Sequence, residues 1–226
     1  MAIKPILFNT EMVRAILEGR KSCTRRIVKP QQLIGMLPDK CKNGAPEEFL
    51  KEKKLMFKPY CEMTGIELIN TAYKAPYQPG DILYVRETWE HFECCCCEGD
   101  EHRNCYREPQ QSVLNKSCGC YMYRATDEIY GDARWHPSIH MPKEAARIWL
   151  KVTDVRVERL QDMWASDVSK EGIRFNKPTA ADEMLKAFAK LWDSTIKKSD
   201  LDRYGWNASP WVWVIEFERC EKPKGV

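Results

Sequence analysis

Eight consecutive residues, Gly19-Arg20-Lys21-Ser22-Cys23-Thr24-Arg25-Arg26, carry four cations, two hydroxyls and a thiol. Crowding Lys21 among Arg20, Arg25 and Arg26 disfavours its protonation and makes the amine a better base. Thr24 stands three residues further on, within reach of such an amine, so a lysine-assisted hydroxyl is one chemistry open to this stretch. The other is a solvated basic turn whose charged side chains meet phosphate. Cys23, among basic neighbours, is either a reactive thiol or simply a small side chain.

The elements around this stretch predict where it sits. A short helix is expected from Thr10, whose hydroxyl can accept an orphan N–H, with Val13, Ile16 and Leu17 on one face. Gly19 then stands where a left-handed residue ends a helix. Ile6 to Phe8 reads as a strand before that helix, and Ile27-Val28 as another, stopped by Pro30. Residues 31–79 are rich in lysine, glutamate and proline, without periodicity, up to the turn Pro79-Gly80-Asp81. A loop of that length is expected to be an insertion with local structure of its own.

Ile82 to Trp89 reads as one strand, rich in β-branched and aromatic residues. Tyr121 to Ala125 is its expected antiparallel partner, with the cysteine-dense residues 93–120 as an oversized hairpin loop. Arg147 to Val157 alternates as a strand, and Trp164 to Glu171 is a short helix closing on Gly172. A further helix is expected from Thr179, with Asp182 as a capping-box partner and Met184, Phe188, Leu191 and Trp192 on one side. Trp211 to Glu218 alternates as the last strand. Five or six strands with few helices point to a small, strongly curved sheet or barrel in one domain covering 1–226.

A chain of 226 residues, 43% hydrophobic and with eight tryptophans, is long and apolar enough for a real core. The net charge of +3 permits a nucleic-acid partner without demanding one. No run approaches the ~18 apolar residues of a membrane helix, so a membrane role is excluded from the expectations. The opening Met-Ala-Ile-Lys-Pro-Ile-Leu-Phe-Asn lacks the apolar core of a signal peptide, and a cytoplasmic location is expected. There, eleven cysteines read as thiols or metal ligands before disulfides.

Seven of them fall in the segment 93–120: Cys94 to Cys97, Cys105, Cys118 and Cys120. Cys94 and Cys97 have the two-residue gap of a zinc knuckle. A hairpin would bring them to Cys118 and Cys120, so a structural zinc held by Cys94, Cys97, Cys118 and Cys120 is the expected cofactor. The alternatives are a loop of reduced thiols and an iron–sulfur site, though nothing else in the sequence suggests electron transfer. Outside it, Ser138 and His140 lie on a loop bracketed by Pro137 and Pro142, where they can reach a ligand or bond to backbone. Trp89 and Trp135 are candidates for stacking a base.

Taken together, Gly19, Lys21 and Arg26 meet a Gly-x-Lys-x-x-x-x-Arg pattern. Three further stretches accompany it: Gly80-Asp81 with Val85-Arg86-Glu87-Thr88-Trp89; Pro137 to Pro142 with Ala145-Ala146-Arg147-Ile148; and Pro210-Trp211-Val212-Trp213-Val214. In these the chain resembles the ASCH domain family of the PUA-like superfamily, and its phage and prophage members in particular. The resemblance implies an α+β, β-rich fold, a small PUA-like β-barrel flanked by helices, with insertions at about 31–79 and 93–120. It implies a ligand cleft walled by Gly19 to Arg26, binding RNA or a modified nucleoside or nucleotide through Arg20, Arg25, Arg26, Arg86, Ser138 and His140.

Some small family members are amidohydrolases that deacylate acylated cytidine with a lysine, a threonine and a glutamate, and others are described as RNA-cleaving. Carried over, those roles fall on Lys21, Thr24 and Glu87. Lys21 would take a proton from Thr24 or water, Glu87 would pass one to the leaving amine, and Arg26 or backbone N–H groups would hold the oxyanion. The opposing reading makes Lys21 a charged phosphate contact and Glu87 half of an ion pair. The chain is about twice the length of those minimal hydrolases. A phage-encoded module whose cysteine loop docks a protein is the third expectation.

Overall fold

Asn9, one residue before the expected Thr10, starts the first helix: its side-chain oxygen accepts the Met12 N–H at 2.9 Å. The short carboxamide is at least as good a cap as threonine, so Thr10 becomes the first residue of α1 (Thr10–Leu17). Gly19 then takes φ +74°, the left-handed geometry expected of it, with its N–H donating to the Ile16 carbonyl at 3.0 Å. The computed structural model describes residues 1–28, 55–57, 71–73, 75–93, 119–128 and 134–223; at 55–57, 71–73, 93 and 119–120 it describes backbone alone. Most of both expected insertions therefore lies outside the described residues.

Two units interleave along the chain. The first comprises Met1–Gly19, Asp81–Lys151 and Arg219–Val226, the second Arg20–Gly80 and Val152–Glu218. In the first, β1 (Ile3–Leu7) runs parallel to β5 (Ile82–Arg86), pairing Ile3 with Ile82 and Leu7 with Arg86. β5 also pairs antiparallel with the start of β8 (Trp149–Arg159), Tyr84 opposite Trp149. β6 (Trp89–Glu93) and β7 (Gly119–Tyr123) form the antiparallel hairpin expected around the cysteine segment.

The strand expected from Ile82 to Trp89 is thus two strands with different partners. The break falls at Glu87 and Thr88, where Glu87 donates its backbone N–H to the Met141 sulfur at 3.2 Å and turns its carboxylate to Arg147. Behind these strands Ile82, Tyr121, Tyr123, Met141 and Trp149 pack as one apolar cluster. The proline-bracketed segment forms 3-10 turns at Ser138–His140 and Lys143–Ala145, in keeping with its lack of longer regular structure.

In the second unit, β2 (Cys23–Ile27) lies antiparallel to β9 (Trp211–Cys220), with Thr24 opposite Ile215 and Arg26 opposite Trp213. The basic stretch is therefore half turn and half strand. Two helices cover this part of the sheet, α2 (Ala165–Lys170) and α3 (Ala181–Ser194). Val168 of α2, Phe188 and Trp192 of α3, and Val212 and Val214 of β9 make the second apolar cluster. The apolar face expected of α3 is there, but the capping box is not. The helix begins after Ala180, Thr179 donates its hydroxyl to the Lys177 carbonyl, and Asp182 takes Lys186 at 3.0 Å. A short helix α4 (Leu201–Tyr204) precedes β9.

In hydrogen-bonding order the main sheet reads β1-β5-β8-β9-β2; β3 (Leu55–Phe57) with β4 (Thr71–Tyr73), and β6 with β7, form separate pairs. The fold is α+β and β-rich. Among the described residues β1 and β2 end the sheet and do not close it into a barrel. Nor, among those residues, is any helix long and apolar enough to cross a membrane.

A Cβ added at Gly19 would meet nothing within 4 Å, so Gly19→Ala isolates the backbone term. A left-handed alanine should lower stability by about 1–2 kcal/mol in urea unfolding. An unchanged midpoint would mean that the turn relaxes out of this geometry at no expense.

Candidate functional site

Lys21 is the first residue past the turn and only 5% exposed. Its ammonium donates to the Cys23 carbonyl at 2.7 Å, the Glu171 carbonyl at 2.9 Å and Glu171 Oε2 at 2.7 Å. Three N–H donors meet three acceptors, the complement of a charged ammonium and not of a free amine. The geometry has a local cause. Residues 20–22 run alongside the C-terminal end of α2: Ser22 donates its N–H to the Lys170 carbonyl, Arg20 its guanidinium to the Gly172 carbonyl, and Lys21 bridges Glu171 through backbone. Gly172, at φ +95°, turns the chain away after the helix.

Arg25 lies beneath the same helix, its side chain without exposed surface. It meets Glu171 Oε1 at 3.1 Å, Glu158 Oε1 at 2.7 Å and Asp167 Oδ2 at 3.3 Å. Burial works against its charge, but the carboxylates of Glu171 and Glu158 outweigh it and hold the guanidinium above its ordinary pKa. Glu171 thus spans two cations, one carboxylate oxygen to each. Asp167 of α2 and Glu171, the residue that caps its C-terminal end, are four residues apart and both meet Arg25 of β2.

Thr24 is buried in β2, and Arg20 and Arg26 are half-buried. Cys23 is packed into the apolar cluster. Burial first, and then the negative Glu171, push its thiol up to about 12, so it stays protonated at neutral pH. The reactive-thiol alternative is set aside on that ground.

Glu87 belongs to the first unit and is 1% exposed. Both its oxygens accept from Arg147, Nε to Oε1 and Nη2 to Oε2, each at 2.9 Å. Arg147 also donates to the Thr126 hydroxyl at 2.8 Å and lies over the Tyr123 ring at 4.0 Å. Burial pushes the Glu87 carboxyl above its ordinary range against the pull of Arg147. The carboxylate that Lys21 meets is therefore Glu171, and the cation that Glu87 meets is Arg147.

Arg86 ends β5 opposite Leu7, its guanidinium 5.9 Å from the Tyr84 ring centre. Its buried Nε has no hydrogen-bond partner among the described residues. Ser138 is half-buried and His140 exposed on their 3-10 turn. Trp89 packs against Tyr121 and His136 at ring separations of 5.7 and 5.2 Å. Cys94, Cys97 and Cys118 lie outside the described residues. Cys120 sits in β7 opposite Phe92, its side chain outside them.

Glu158, Asp167, Glu171 and the role of Arg147 are what sequence reasoning missed. One pattern pointed to the first group: two acids at i and i+4 beside Val168, on a helix ending next to an unmatched basic stretch. Nothing local marked Glu158, which reaches Arg25 from β8.

Comparison with solved structures returns the crystal structure of an ASCH domain from Lactobacillus crispatus JV V101. It is 9% identical over 96% of this chain and 79% of that chain, with a TM-score of 0.35. Likeness at that score carries no argument about fold or function. No protein-family model matches the sequence, and no curated protein matches it.

Removing one partner of a buried charge pair leaves the other uncompensated, at about 3–5 kcal/mol. Glu171→Ala should therefore destabilise by that amount in chemical unfolding. Arg156→Ala, which removes the partly exposed pairs with Asp154 and Glu216 and a longer one with Glu158 at 3.5 Å, should cost less than about 1 kcal/mol. Equal losses would contradict the special place of Glu171.

Proposed function

We propose that the chain is an ASCH-type, PUA-like module that binds RNA or a modified nucleoside or nucleotide. The motif resemblance points to that ligand class. The observation that carries the reading is the charge cluster under the motif, where Lys21 and Arg25 are buried against Glu158, Asp167 and Glu171. A buried ionic group stabilises a fold poorly compared with apolar packing, so its presence at the motif suggests use by a ligand site. Arg20, Arg26 and Arg86 would meet phosphate, with Ser138 and His140 contributing hydrogen bonds. Arg86 Nε, without a partner among the described residues, is a donor suited to a ligand oxygen.

Binding is favoured over hydrolysis because all three donors of the Lys21 ammonium are engaged, which suits an anchor better than a base. The second reading is an amidohydrolase on acylated cytidine, or an RNA-cleaving enzyme, using Lys21, Thr24 and Glu87. One observation favours it: burial raises the Glu87 carboxyl, as a proton carrier requires. Thr24→Val separates the two, since it keeps the shape of a buried strand residue and removes the hydroxyl. Binding to single-stranded RNA should survive Thr24→Val, and Arg86→Ala should lower the salt slope of binding by about one. Turnover of an acylated-cytidine panel that vanishes with Thr24→Val would replace the binding reading with the hydrolase.

The cysteine segment enters the same proposal as a structural zinc site built from Cys94, Cys97, Cys118 and Cys120, in a phage-type protein of a reducing cytoplasm. What supports it is the hairpin register: Glu93 pairs with Gly119, and these residues directly precede Cys94 and follow Cys118 in sequence. Docking of a protein through this loop is the remaining alternative role. Metal analysis of protein purified without added zinc should give one zinc per chain; a substoichiometric value would remove zinc from the proposal.

A further inference from the structure

Of the eight tryptophans, all described, Trp164 stands apart: it is 78% exposed, while the others are buried or half-buried. It immediately precedes α2, the helix whose far end carries Glu171. Its backbone is held on both sides, because Asp167 donates its N–H to the Trp164 carbonyl at 2.9 Å and accepts the Trp164 N–H on Oδ2 at 3.3 Å. The same Asp167 oxygen meets Arg25 at 3.3 Å. The backbone that carries the exposed ring is thereby fastened, through one carboxylate, to the charge cluster beneath the basic motif.

The chemistry around the ring narrows what it can serve. Both acids of α2 and its cap, Asp167 and Glu171, are buried against cations, whereas Ser166, Ser169, Lys170 and Arg174 are exposed, Lys170 also pairing with Asp167 Oδ1 at 3.5 Å. The segment thus turns its negative charge inward and shows hydroxyls and positive charge to water. Asp162, exposed just before Trp164, is the acid nearest in sequence on the other side. No other large hydrophobic residue of the second unit is exposed among those described, so the ring has no apolar patch around it of the kind a protein partner buries. An exposed aromatic face with the Lys170 cation about 9 Å along the helix suits a base whose neighbouring phosphate reaches that cation.

Resting on the RNA-binding reading above, we infer that Trp164 is a base-stacking platform for single-stranded RNA, with Lys170 and Arg174 as its phosphate contacts. The aromatic face accepts any base, so this contact adds affinity without sequence preference.

The test is binding of the full chain to a single-stranded RNA of about 12 nucleotides, comparing wild type, Trp164→Phe and Trp164→Ala. Trp164→Ala should weaken binding on the order of 5- to 100-fold, and Trp164→Phe should recover most of the loss. The salt slope should stay unchanged in Trp164→Ala and fall in Lys170→Glu. RNA should quench the tryptophan emission of wild type more than that of Trp164→Phe. The ring is mostly in water, so thermal unfolding of Trp164→Ala should match wild type and exclude a folding defect. Wild-type binding with no loss in Trp164→Ala would overturn the inference and leave the RNA-binding reading intact. No binding by wild type would overturn both.

Discussion

Glu171 is the residue on which the second unit's polar architecture turns. One of its oxygens takes Lys21 and the other Arg25, while its backbone carbonyl takes Lys21 again. Without that carboxylate the buried Lys21 would lose its ion pair, and Arg25 would be left to Glu158 and Asp167. With it, Cys23 to Ile27 can run as a strand against β9, and α2 can close over β2 with Val168 in the apolar cluster. The pairing also reverses the electrostatic logic of the motif. A lysine among arginines was expected to act as a base; in the fold its three N–H donors are taken by three acceptors within 2.9 Å.

The two carboxylates that matter most show the same principle with different partners. Glu171 is shared by a lysine and an arginine, so its charge organises a cluster of several chain segments. Glu87 meets the planar fork of one arginine, both oxygens engaged, and Arg147 is braced by the Tyr123 ring and the Thr126 hydroxyl. The bidentate fit is specific to a guanidinium and could not be reproduced by lysine. Each arrangement leaves its carboxylate satisfied, which is what permits burial at all.

Much of the fold was legible along the chain because it depends on local patterns. Gly19 ended a helix in the left-handed region, Gly172 ended another, β9 alternated, and Phe188 and Trp192 marked the inner face of α3. Where local reading missed, a nearby competitor prevailed: Asn9 capped in place of Thr10, and Thr179 turned its hydroxyl to Lys177. The division of Ile82 to Trp89 into β5 and β6 had another origin. It falls where Glu87 turns its carboxylate to Arg147, sixty residues away, a contact that no local pattern of strand residues could report.

The sequence by itself determined the helix ends, the strand periodicities and the concentration of charge, because spacing and residue type act over a few residues. It also placed Lys21 and Thr24 together, since they lie on one short segment. The tertiary structure decided which charges cancel. Glu171 reached Lys21 across 150 residues, and Glu158 reached Arg25 across 133. A carboxylate's partner depends on which strands and helices pack side by side, and that information is held in the whole fold and in no stretch of the chain. For that reason Gly19 to Arg26 reads in isolation as an exposed basic turn with an activated lysine, whereas in the folded chain it is the edge of a buried, largely neutralised cluster.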